Sequence, residues 1–423
     1  MQFQAPRGTS DILPQEQEYW RFFHSRAEEM AARFGYERID TPIFEDARLF
    51  VRGVGEVTDI VEKETYTFED RGGDLLTLRP EGTAPVCRAY LEHGMHNLPQ
   101  PVRLYYLLPG FRYERPQAGR YRQHHQFGVE ILGDADAAAD AEVIEVGWRF
   151  LESIGLKDLS LEVNSIGDAQ CRPRYVEELQ AYYRPHNDRL CPDCKRRLEE
   201  NPLRLLDCKQ ASCQPIILEA PHSVDYLCDA CESHWDTLKG FFDVLGLPYK
   251  LNHRLARGFD YYTRTVFEVT PPVEGQQNVL FGGGRYDGLM QELGGRPTPG
   301  VGFGMGAERV IASLMRQEIP VAEESGPRVM VAHVGEDARR AALGLASELR
   351  REGVSAVLGP ADRGLRSQLR YASRIDATHA IILGDDELKK NVVVLRDLGL
   401  GEQEEVDRSL DLLVRRINGE SER

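Results

Sequence analysis

Glycine occupies every second position of one short segment, which restricts what that segment can form. Residues 300–306 read Gly-Val-Gly-Phe-Gly-Met-Gly. Because successive side chains of a β-strand point to opposite faces, one face of this strand carries apolar side chains and the other carries none. A flat ligand has room against the bare backbone. A helix packed closely on the strand is the alternative explanation, and a dinucleotide-binding loop fits poorly because its third glycine falls at a different spacing.

A helix is expected directly after this strand, over residues 307–315. Its first turn carries Arg309, near the positive end of the helix dipole, where phosphate groups are favoured. The end of the glycine strand is therefore a candidate site for a ligand that carries phosphate.

A β-hairpin is predicted over residues 102–132. Two strand-like stretches, 104–114 and 121–131, flank a loop with glycine and proline. In the second strand Gln126 and Glu130 lie on one face, about 13 Å apart at ~3.3 Å per residue, with only a glycine between them. A glycine inside a strand often marks the close approach of a ligand, although a solvent-exposed face explains the same alternation.

Arginines surround the loop of this hairpin. Arg112 in the first strand is the natural anion-binding group, and Arg115, Arg120 and Arg122 lie around the loop. Such a cluster suits the recognition of phosphate by charged hydrogen bonds. Arginines are also common on exposed hairpins, so the cluster alone does not decide between the two interpretations.

Two further segments supply polar groups. Residues 79–83, Arg-Pro-Glu-Gly-Thr, join a predicted strand to a predicted helix. They place the carboxylate of Glu81 and the hydroxyl of Thr83 at a turn, where Thr83 is equally suited to cap the helix. Residues 255–263, Leu-Ala-Arg-Gly-Phe-Asp-Tyr-Tyr-Thr, are interpreted as a strand whose adjacent tyrosines point to opposite faces. Ordinary core aromatics are the alternative.

Length and composition predict several compact units. The chain has 423 residues, of which 41% are apolar and 28% charged, as in soluble globular proteins. About 150 residues per domain suggests two or three units. No apolar run approaches the ~18 residues of a membrane helix, and the first residues lack the pattern of a secretory signal. We expect a cytoplasmic protein without a membrane partner.

Changes of pattern along the chain predict four segments. Residues 1–168 form the first part of a β-rich core, a Cys-rich helical insertion covers 169–250, and the core resumes over 251–320. A polar stretch with two prolines reads as a linker. Residues 328–423 then alternate strands with helices, which indicates a small α/β unit with a mainly parallel sheet.

Cysteines cluster in the predicted insertion. Two C-x-x-C pairs, Cys191 with Cys194 and Cys228 with Cys231, are typical of a zinc ribbon. Buried thiols without a metal are the alternative, so the sequence leaves zinc uncertain. A zinc-ribbon nucleic-acid-binding protein without catalysis would leave the bare glycine face and the arginine that follows it unexplained.

The net charge constrains the partners. A formal charge of −16 argues against a protein that coats nucleic acid through bulk positive charge, but it permits local basic surfaces. In the last unit Arg363, Arg366, Arg370 and Arg374 are spaced three, four and four residues apart, which predicts one face of a helix. Arginines spaced in this way usually form a solvent-exposed face of a helix without a binding function.

Five separated motifs carry a family resemblance. Residues 111–114 with the following loop resemble motif 2 of class II aminoacyl-tRNA synthetases, 302–309 resemble motif 3, and 35–42 resemble the dimer-forming motif 1. Segments 79–83 and 255–262 resemble signatures of the histidine-specific branch of that class. The resemblance implies an α+β catalytic core on an antiparallel sheet, a helical insertion domain and a C-terminal α/β anticodon-binding domain.

The resemblance also implies an activity. The chain would activate L-histidine with ATP and Mg²⁺ to histidyl-adenylate and pyrophosphate, transfer the histidyl group to tRNA(His), and form a homodimer. The alternative is the non-catalytic paralogue that regulates ATP phosphoribosyltransferase in histidine biosynthesis. That paralogue usually lacks the C-terminal unit and degrades the signature at 257–262, and both are intact in this sequence.

Roles for individual residues follow from the same resemblance. The catalytic cations on the phosphates would be Arg112, Arg257 and Arg309. ATP would also contact Glu114, Arg120 and Gly304. Histidine would be bound by Glu81, Gly82, Thr83, Gln126, Glu130, Tyr261 and Tyr262. Of these, Glu130 and Tyr262 would read the two imidazole nitrogens. The acceptor end of the tRNA would contact Gln117, Arg120 and Arg122, and the anticodon would contact Arg363, Arg366, Arg370 and Arg374.

Overall fold

The computed structural model of the chain describes residues 3–54, 64–114, 119–272, 279–321 and 328–419. The chain forms two compact units, Met1–Val321 and Ala322–Arg423. Within the described residues no helix has both the length and the apolar character needed to cross a membrane.

The first unit combines strands and helices along its whole length. Its strands are β1 (Glu37–Arg38), β2 (Phe44–Asp46), β3 (Tyr66–Glu69), β4 (Leu75–Leu78), β5 (Val102–Phe111), β6 (Gln123–Leu132), β7 (Ser160–Ser165), β8 (Tyr249–Leu251), β9 (Thr263–Thr270), β10 (Phe281–Arg285) and β11 (Gly300–Gly306). Its α-helices are α1 (Gln17–Arg33), α2 (Ala47–Val54), α3 (Thr83–Glu92), α4 (Ala137–Ser153), α5 (Arg172–Tyr183), α6 (Pro192–Glu200), α7 (Gln214–Leu218), α8 (Asp229–Leu245), α9 (Leu289–Glu292) and α10 (Ala307–Arg316). Short 3₁₀ helices cover Met95–Asn97, Arg184–Arg189, Pro202–Leu205 and Ser223–Tyr226.

An eight-stranded sheet with the order β1-β5-β6-β11-β10-β9-β7-β8 is the centre of this unit. All neighbours are antiparallel except the two edge pairs, β1 with β5 and β7 with β8. The expected α+β core on a largely antiparallel sheet is thus confirmed. A second, three-stranded sheet has the order β2-β4-β3.

Helices α1 and α4 supply much of the core on one face of the large sheet. The apolar face of α1 is buried, with Phe23 fully inaccessible to solvent and in edge-to-face contact with Phe150 of α4 at 5.4 Å. Burying one such ring stabilises the fold by roughly 1.5–3 kcal/mol.

The predicted insertion contains two kinds of packing. Helices α5 to α7 enclose a small core of their own, with Tyr175, Leu198 and Ile217. Helix α8 instead buries Trp235 and Phe242 in the main core, and β8 pairs with β7 in the large sheet. The apolar face of α8 thus packs in the main core, although α8 lies within the predicted insertion. The division of this unit otherwise stays a proposal.

The second unit is a separate α/β fold. Its strands are β12 (Arg328–Val334), β13 (Ser355–Leu358), β14 (His379–Gly384), β15 (Val392–Asp397) and β16 (Gln403–Asp407). Its helices are α11 (Glu336–Arg351), α12 (Leu365–Arg374), α13 (Asp385–Lys390) and α14 (Leu410–Ile417).

The sheet of the second unit has the order β13-β12-β14-β15-β16. The pairs of β12 are parallel, as expected, but β14–β15 and β15–β16 are antiparallel. The prediction of a mainly parallel sheet therefore holds for β13, β12 and β14 but not for β15 and β16. The chain reverses after α13 through Asn391, whose φ of 58° is left-handed, so β15 returns beside β14 in the opposite direction.

Candidate active site

A cavity of about 270 Å³ lies beside β6, β11 and the start of α10. Many of the predicted site residues form its wall, although they come from distant parts of the sequence: Glu81, Thr83, Arg112, Glu114, Arg120, Gln126, Arg257, Tyr261, Tyr262, Gly304 and Arg309. The sheet order explains this convergence, because it places β6, β11, β10 and β9 side by side.

Only half of the glycine strand borders this cavity. Gly304 and Gly306 line it, and a methyl group added to Gly304 would meet nothing closer than the amide nitrogen of Gln126, at 3.3 Å. A methyl group on Gly300 would instead collide with the ring of Tyr286, and one on Gly302 with the carboxylate of Glu130. The expected bare face is therefore open to a ligand only at its carboxyl end.

Glu130 is fully buried below the cavity rather than in its wall. Its carboxylate accepts hydrogen bonds from the hydroxyl groups of Thr83 at 2.8 Å, Tyr106 at 3.1 Å and Tyr286. Burial raises the pKa of Glu130 to about 8, although these hydroxyl groups oppose the shift. The space expected over Gly128 is filled by the ring of Tyr106. A contact between Glu130 and imidazole stays a prediction.

Glu81 caps the helix that follows it. Its carboxylate accepts hydrogen bonds from the backbone N–H groups of Thr83 at 2.5 Å and Ala84 at 2.9 Å. The N-cap residue of α3 is Gly82, so the capping side chain comes from Glu81, one residue earlier, and not from Thr83. Burial raises the pKa of Glu81. Gly82 must be glycine for steric reasons, since a methyl group there would lie 2.5 Å from the ring of Tyr106.

Backbone carbonyl groups orient two of the predicted catalytic arginines. Nε of Arg112 donates to the carbonyl oxygen of Pro80 at 2.8 Å. Nε of Arg309 donates to that of Gly119 at 3.0 Å, and Nη1 donates to that of Val279 at 2.9 Å. A carbonyl group fixes the direction of a guanidinium group without neutralising it. Both arginines therefore keep their charge for a ligand.

A carboxylate holds the third arginine. Arg257 forms an ion pair with Glu268 of β9, and its guanidinium lies against the backbone of β10, where a methyl group on Gly282 would come within 2.6 Å of Nη1. Burial lowers the pKa of Arg257, but the charges and hydrogen bonds of Glu268 and Tyr262 together outweigh burial and raise the pKa. The carbonyl oxygen of Arg257 accepts a hydrogen bond from Arg204 at 3.1 Å.

Two arginines of the cavity wall act on the neighbouring His124. Besides burial, the charges of Arg112 and Arg309 hold the pKa of His124 well below its usual value, so this histidine is neutral. Cations confined in a cleft with low-dielectric walls attract anions strongly. The arginines of the wall therefore suit a ligand with several negative charges.

Tyr261 and Tyr262 lie in an irregular segment and not in a strand, since β9 begins only at Thr263. Both rings are buried, their centroids are 4.6 Å apart, and both line the cavity. The expectation that they face opposite sides of a strand was wrong. The backbone at Tyr262 is held by Arg172 of α5, which donates to its carbonyl oxygen at 2.5 Å.

The described residues on either side of the hairpin loop, Glu114 and Arg120, line the cavity. Nε of Arg120 lies 3.0 Å from a carboxylate oxygen of Glu114, and the guanidinium of Arg122 lies 3.8 Å from the ring centre of Tyr113. Arg120 lines the cavity, whereas Arg122 is not part of its wall. The predicted tRNA contact Gln117 and its neighbour Arg115 lie outside the described residues.

The arginine row of the second unit is shorter than expected. Arg366, Arg370 and Arg374 are exposed and follow one another at four-residue steps along α12. Arg363 precedes the helix, because Gly364 is the N-cap. It is exposed but does not share the helical face.

Three residues that shape the site were not predicted from the sequence. Tyr106 and Tyr286 contact Glu130, and Glu268 contacts Arg257. A signal for Tyr106 did exist. In the observed register Tyr106 of β5 lies opposite Gly128 of β6, and a glycine in a strand often leaves room for a large neighbour. No sequence pattern links Glu268 to its arginine, because the loop before β9 brings them together.

The two C-x-x-C pairs do not form one ribbon. Cys191 and Cys194 lie with Cys208 and Cys213, whereas Cys228 and Cys231 lie with Cys171 and Asp168. In each group the potential ligand atoms are within 4.8 Å of one another. The expected pairing was wrong because the pairs begin different helices, α6 and α8, which pack in separate cores.

A largely antiparallel sheet whose hairpin, glycine strand and following helix surround a cavity lined with arginines defines a class II aminoacyl-tRNA synthetase. A family model described as histidyl-tRNA synthetase matches residues 8–170 and 203–310, and an anticodon binding domain model matches 328–413.

Known proteins are similar over the whole chain. A histidine–tRNA ligase of Dehalococcoides mccartyi is 57% identical over 94% of this chain and 95% of that protein. One of Pelotomaculum thermopropionicum is 49% identical over 98% of each chain. The crystal structure of apo Staphylococcus aureus histidyl-tRNA synthetase superposes with a TM-score of 0.82 at 37% identity, covering 98% of this chain and all of that one. The chain belongs to the histidyl-tRNA synthetase family.

Proposed function

We propose that this chain joins L-histidine to the 3′ end of tRNA(His) in the cytoplasm, converting ATP to AMP and pyrophosphate. One observation carries the proposal: the arginines of the hairpin, of the segment before β9 and of α10 converge on a single cavity. Membership of the family supports the choice of histidine among the amino acids.

In the first step a carboxylate oxygen of histidine attacks the α-phosphorus of ATP, and the bond to pyrophosphate breaks. Such a reaction depends mainly on positioning and electrostatic stabilisation. Arg112 and Arg257 would hold the α-phosphate, and Arg309 would stack on adenine or contact the γ-phosphate. Mg²⁺ arrives with ATP and offsets the charge of its phosphates. The partners of these arginines hold them in place before charge develops.

The open end of the glycine strand suits the nucleotide. At Gly304 no bulky side chain covers the backbone, so the adenosine part can approach it closely. Glu114 and Arg120 at the mouth of the cavity add polar contacts from the hairpin. ATP would then lie between Arg120 and the first turn of α10.

Histidine would lie deeper, between α3, β6 and the two tyrosines. Glu81 and Thr83, together with the backbone of Gly82, would bind the ammonium group of histidine. Gln126 would bind histidine on the side of its carboxylate. Tyr261 and Tyr262 line the inner wall. Glu130, connected through the hydroxyl of Thr83, completes the recognition of imidazole together with Tyr262. Such a pocket rejects isosteres that lack ring nitrogens, because its buried polar groups would be left unpaired.

In the second step the terminal ribose hydroxyl of the tRNA attacks the carbonyl carbon of the adenylate, and AMP leaves. Gln117, Arg120 and Arg122 of the hairpin would contact the acceptor end. Arg363, and the exposed row Arg366, Arg370 and Arg374 of α12, would contact the anticodon arm. The match of residues 328–413 to an anticodon binding domain supports this assignment.

A homodimer is part of the proposal. On one face of the three-stranded sheet the apolar side chains of Phe44, Phe68, Leu76 and Leu78 lie together by strand register, and Phe44 is 51% and Phe68 42% exposed. Exposed apolar surface of this kind marks an interface. Light scattering is expected to give the mass of a dimer, and Phe44→Asp with Phe68→Asp to shift it towards the monomer. A monomeric wild type would contradict this part.

The regulatory paralogue is the less supported alternative. The chain carries the anticodon binding domain, and residues 257–262, which that paralogue degrades, contribute several side chains to the cavity. A regulator that does not activate histidine would not require a wall of fixed arginines around this space.

Histidine-dependent exchange of labelled pyrophosphate into ATP tests the activity. We expect exchange with histidine and background values with the other nineteen amino acids, followed by charging of tRNA(His) when that tRNA is added. Silence with all twenty amino acids would contradict the proposal and favour the regulatory alternative. Exchange with another amino acid would contradict the assignment of the histidine pocket.

A further inference from the structure

Four cysteines converge between α5 and the catalytic cavity. Cys191 and Cys194 begin α6, and Cys208 and Cys213 follow from the next turn of chain. We call this group the four-cysteine cluster. Three of its members are buried and the fourth is half-buried. Thiol groups form only weak hydrogen bonds with one another. Four of them gathered in one largely buried place therefore indicate a ligand that all four sulfur atoms share.

The spacing of the sulfur atoms fits a metal ion. In a tetrahedron with metal–sulfur bonds of about 2.3 Å, two sulfur atoms are about 3.8 Å apart. The sulfur atoms of Cys191 and Cys208 are 3.8 Å apart. A disulfide would need about 2.05 Å, and all of these cysteines are free.

Backbone groups are aimed at the same sulfur atoms. The N–H of Cys191 donates to Sγ of Cys213 at 3.3 Å, and the N–H of Gln210 donates to Sγ of Cys208 at 3.4 Å. Hydrogen bonds of this kind stabilise negative charge on sulfur, and supporting partners around a metal orient its ligands.

A second group lies at the start of two other helices. Cys171 precedes α5, Cys228 and Cys231 begin α8, and Asp168 completes the set. We call it the aspartate-cysteine cluster. One oxygen of Asp168 lies 3.6 Å from Sγ of Cys171, and the other faces Arg264 at 3.3 Å. A carboxylate held by an arginine on one side and facing three sulfur atoms on the other is a typical arrangement for a zinc ligand.

We propose that the chain binds two zinc ions, one in each cluster. Four thiolates, or three thiolates and a carboxylate, form closed tetrahedral sets without an open position, as in structural zinc sites. Binding displaces the thiol protons. The two sites replace the single ribbon that the sequence suggested, and they use Cys171, Cys208, Cys213 and Asp168 as additional ligands.

Both ions would support the catalytic cavity from outside. Next to the four-cysteine cluster, Asn201 donates to the carboxylate of Asp260 at 2.7 Å and Arg204 donates to the carbonyl oxygen of Arg257 at 3.1 Å. Next to the aspartate-cysteine cluster, Arg172 holds the backbone of Tyr262. The two metal sites thus anchor the segment that carries Arg257 and Tyr262. Of the eight proposed ligands, Cys171, Cys191 and Cys194 lie between the two stretches matched by the family model, and the other five lie within them.

Metal analysis of the purified full-length chain tests the proposal. Protein prepared with a reductant and without a metal-affinity step is expected to contain about two zinc ions per chain. Cys194→Ser and Cys231→Ser should each remove one ion, from different sites. The matched control is Cys87→Ala, because Cys87 is buried and belongs to neither cluster; it should keep both ions.

Protein produced with cobalt instead of zinc checks the ligands without relying on the folding of variants. Tetrahedral cobalt–thiolate absorption that accounts for two ions per chain supports both sites. A zinc content below about 0.2 per chain after reconstitution, or iron in place of zinc, would overturn the proposal. A single zinc ion lost only with Cys194→Ser would overturn the aspartate-cysteine site.

Discussion

Arginines of the cavity and arginines of α12 differ in how they are held. In the cavity Arg257 has only 18% of its side chain exposed and pairs with Glu268, and carbonyl groups fix Arg309. On α12 the side chains of Arg366 and Arg370 are exposed to solvent. A buried cation costs desolvation but is already in place when charge develops on a substrate. An exposed cation attracts a polyanion in a manner that salt weakens. The proposed roles follow from this difference: the held arginines of the first unit suit chemistry, and the exposed arginines of α12 suit association.

Removing a fixed cation should have the largest effect. Arg257→Ala is expected to leave the protein folded and to lower histidine-dependent pyrophosphate exchange by at least ~100-fold, the scale of losing one preorganised electrostatic donor. The matched control is Arg254→Ala, an exposed arginine three positions earlier, which should exchange normally. Near-normal turnover of Arg257→Ala would remove this residue from the mechanism.

Displacing the same cation without removing it should have a smaller effect. In Gly282→Ala the added methyl group would come within 2.6 Å of the guanidinium of Arg257, and misplacing a catalytic group by about 1 Å costs up to ~100-fold. We expect about a 30-fold loss of exchange. Gly240→Ala is the control, because a methyl group there meets nothing within 4 Å. Equal activities of the two variants would show that the position of Arg257 does not matter.

Removing exposed cations should weaken association only. Arg366→Ala with Arg370→Ala is expected to raise the KM for tRNA about tenfold. The slope of charging efficiency against salt concentration, on logarithmic axes, should fall by the equivalent of about two phosphate contacts. Pyrophosphate exchange should not change. The control is Arg339→Ala with Arg340→Ala, two exposed arginines on α11. If both pairs of substitutions weaken charging alike, the row on α12 has no special role.

The smallest expected effect is the pH dependence of stability that the buried carboxyl group of Glu130 causes. The direction of this dependence follows from the shift of its pKa. Burial raises the pKa of Glu130 from 4.5 to about 8, so between these values the folded chain holds a proton that the unfolded chain has released. The free energy of unfolding should therefore fall as pH rises through this window, by about 1 kcal/mol between pH 6 and pH 7 relative to Glu130→Gln. Denaturant unfolding of both proteins measures it. Parallel pH profiles would mean that Glu130 is ionised in the folded state.

Much of this site could be predicted because it lies on regular elements. The alternation in 300–306 and 123–132 placed Gly304 and Gln126 correctly, since strands have a fixed period of two. The filling of the space over Gly128 by Tyr106 could not be predicted, because it depends on strand register. The grouping of Cys191 with Cys208 and Cys213 was missed for a related reason. It depends on how short helices pack, which no sequence period records.

One comparison tests the central claim most directly: histidine-dependent pyrophosphate exchange and tRNA charging, measured on the same preparation while salt rises from about 50 to about 200 mM. Because the cavity holds its arginines by buried partners, exchange should change little. Charging should fall steeply, since the contacts of the exposed arginines with tRNA are screened. A parallel fall of both activities, or the absence of histidine-dependent exchange at low salt, would contradict the account.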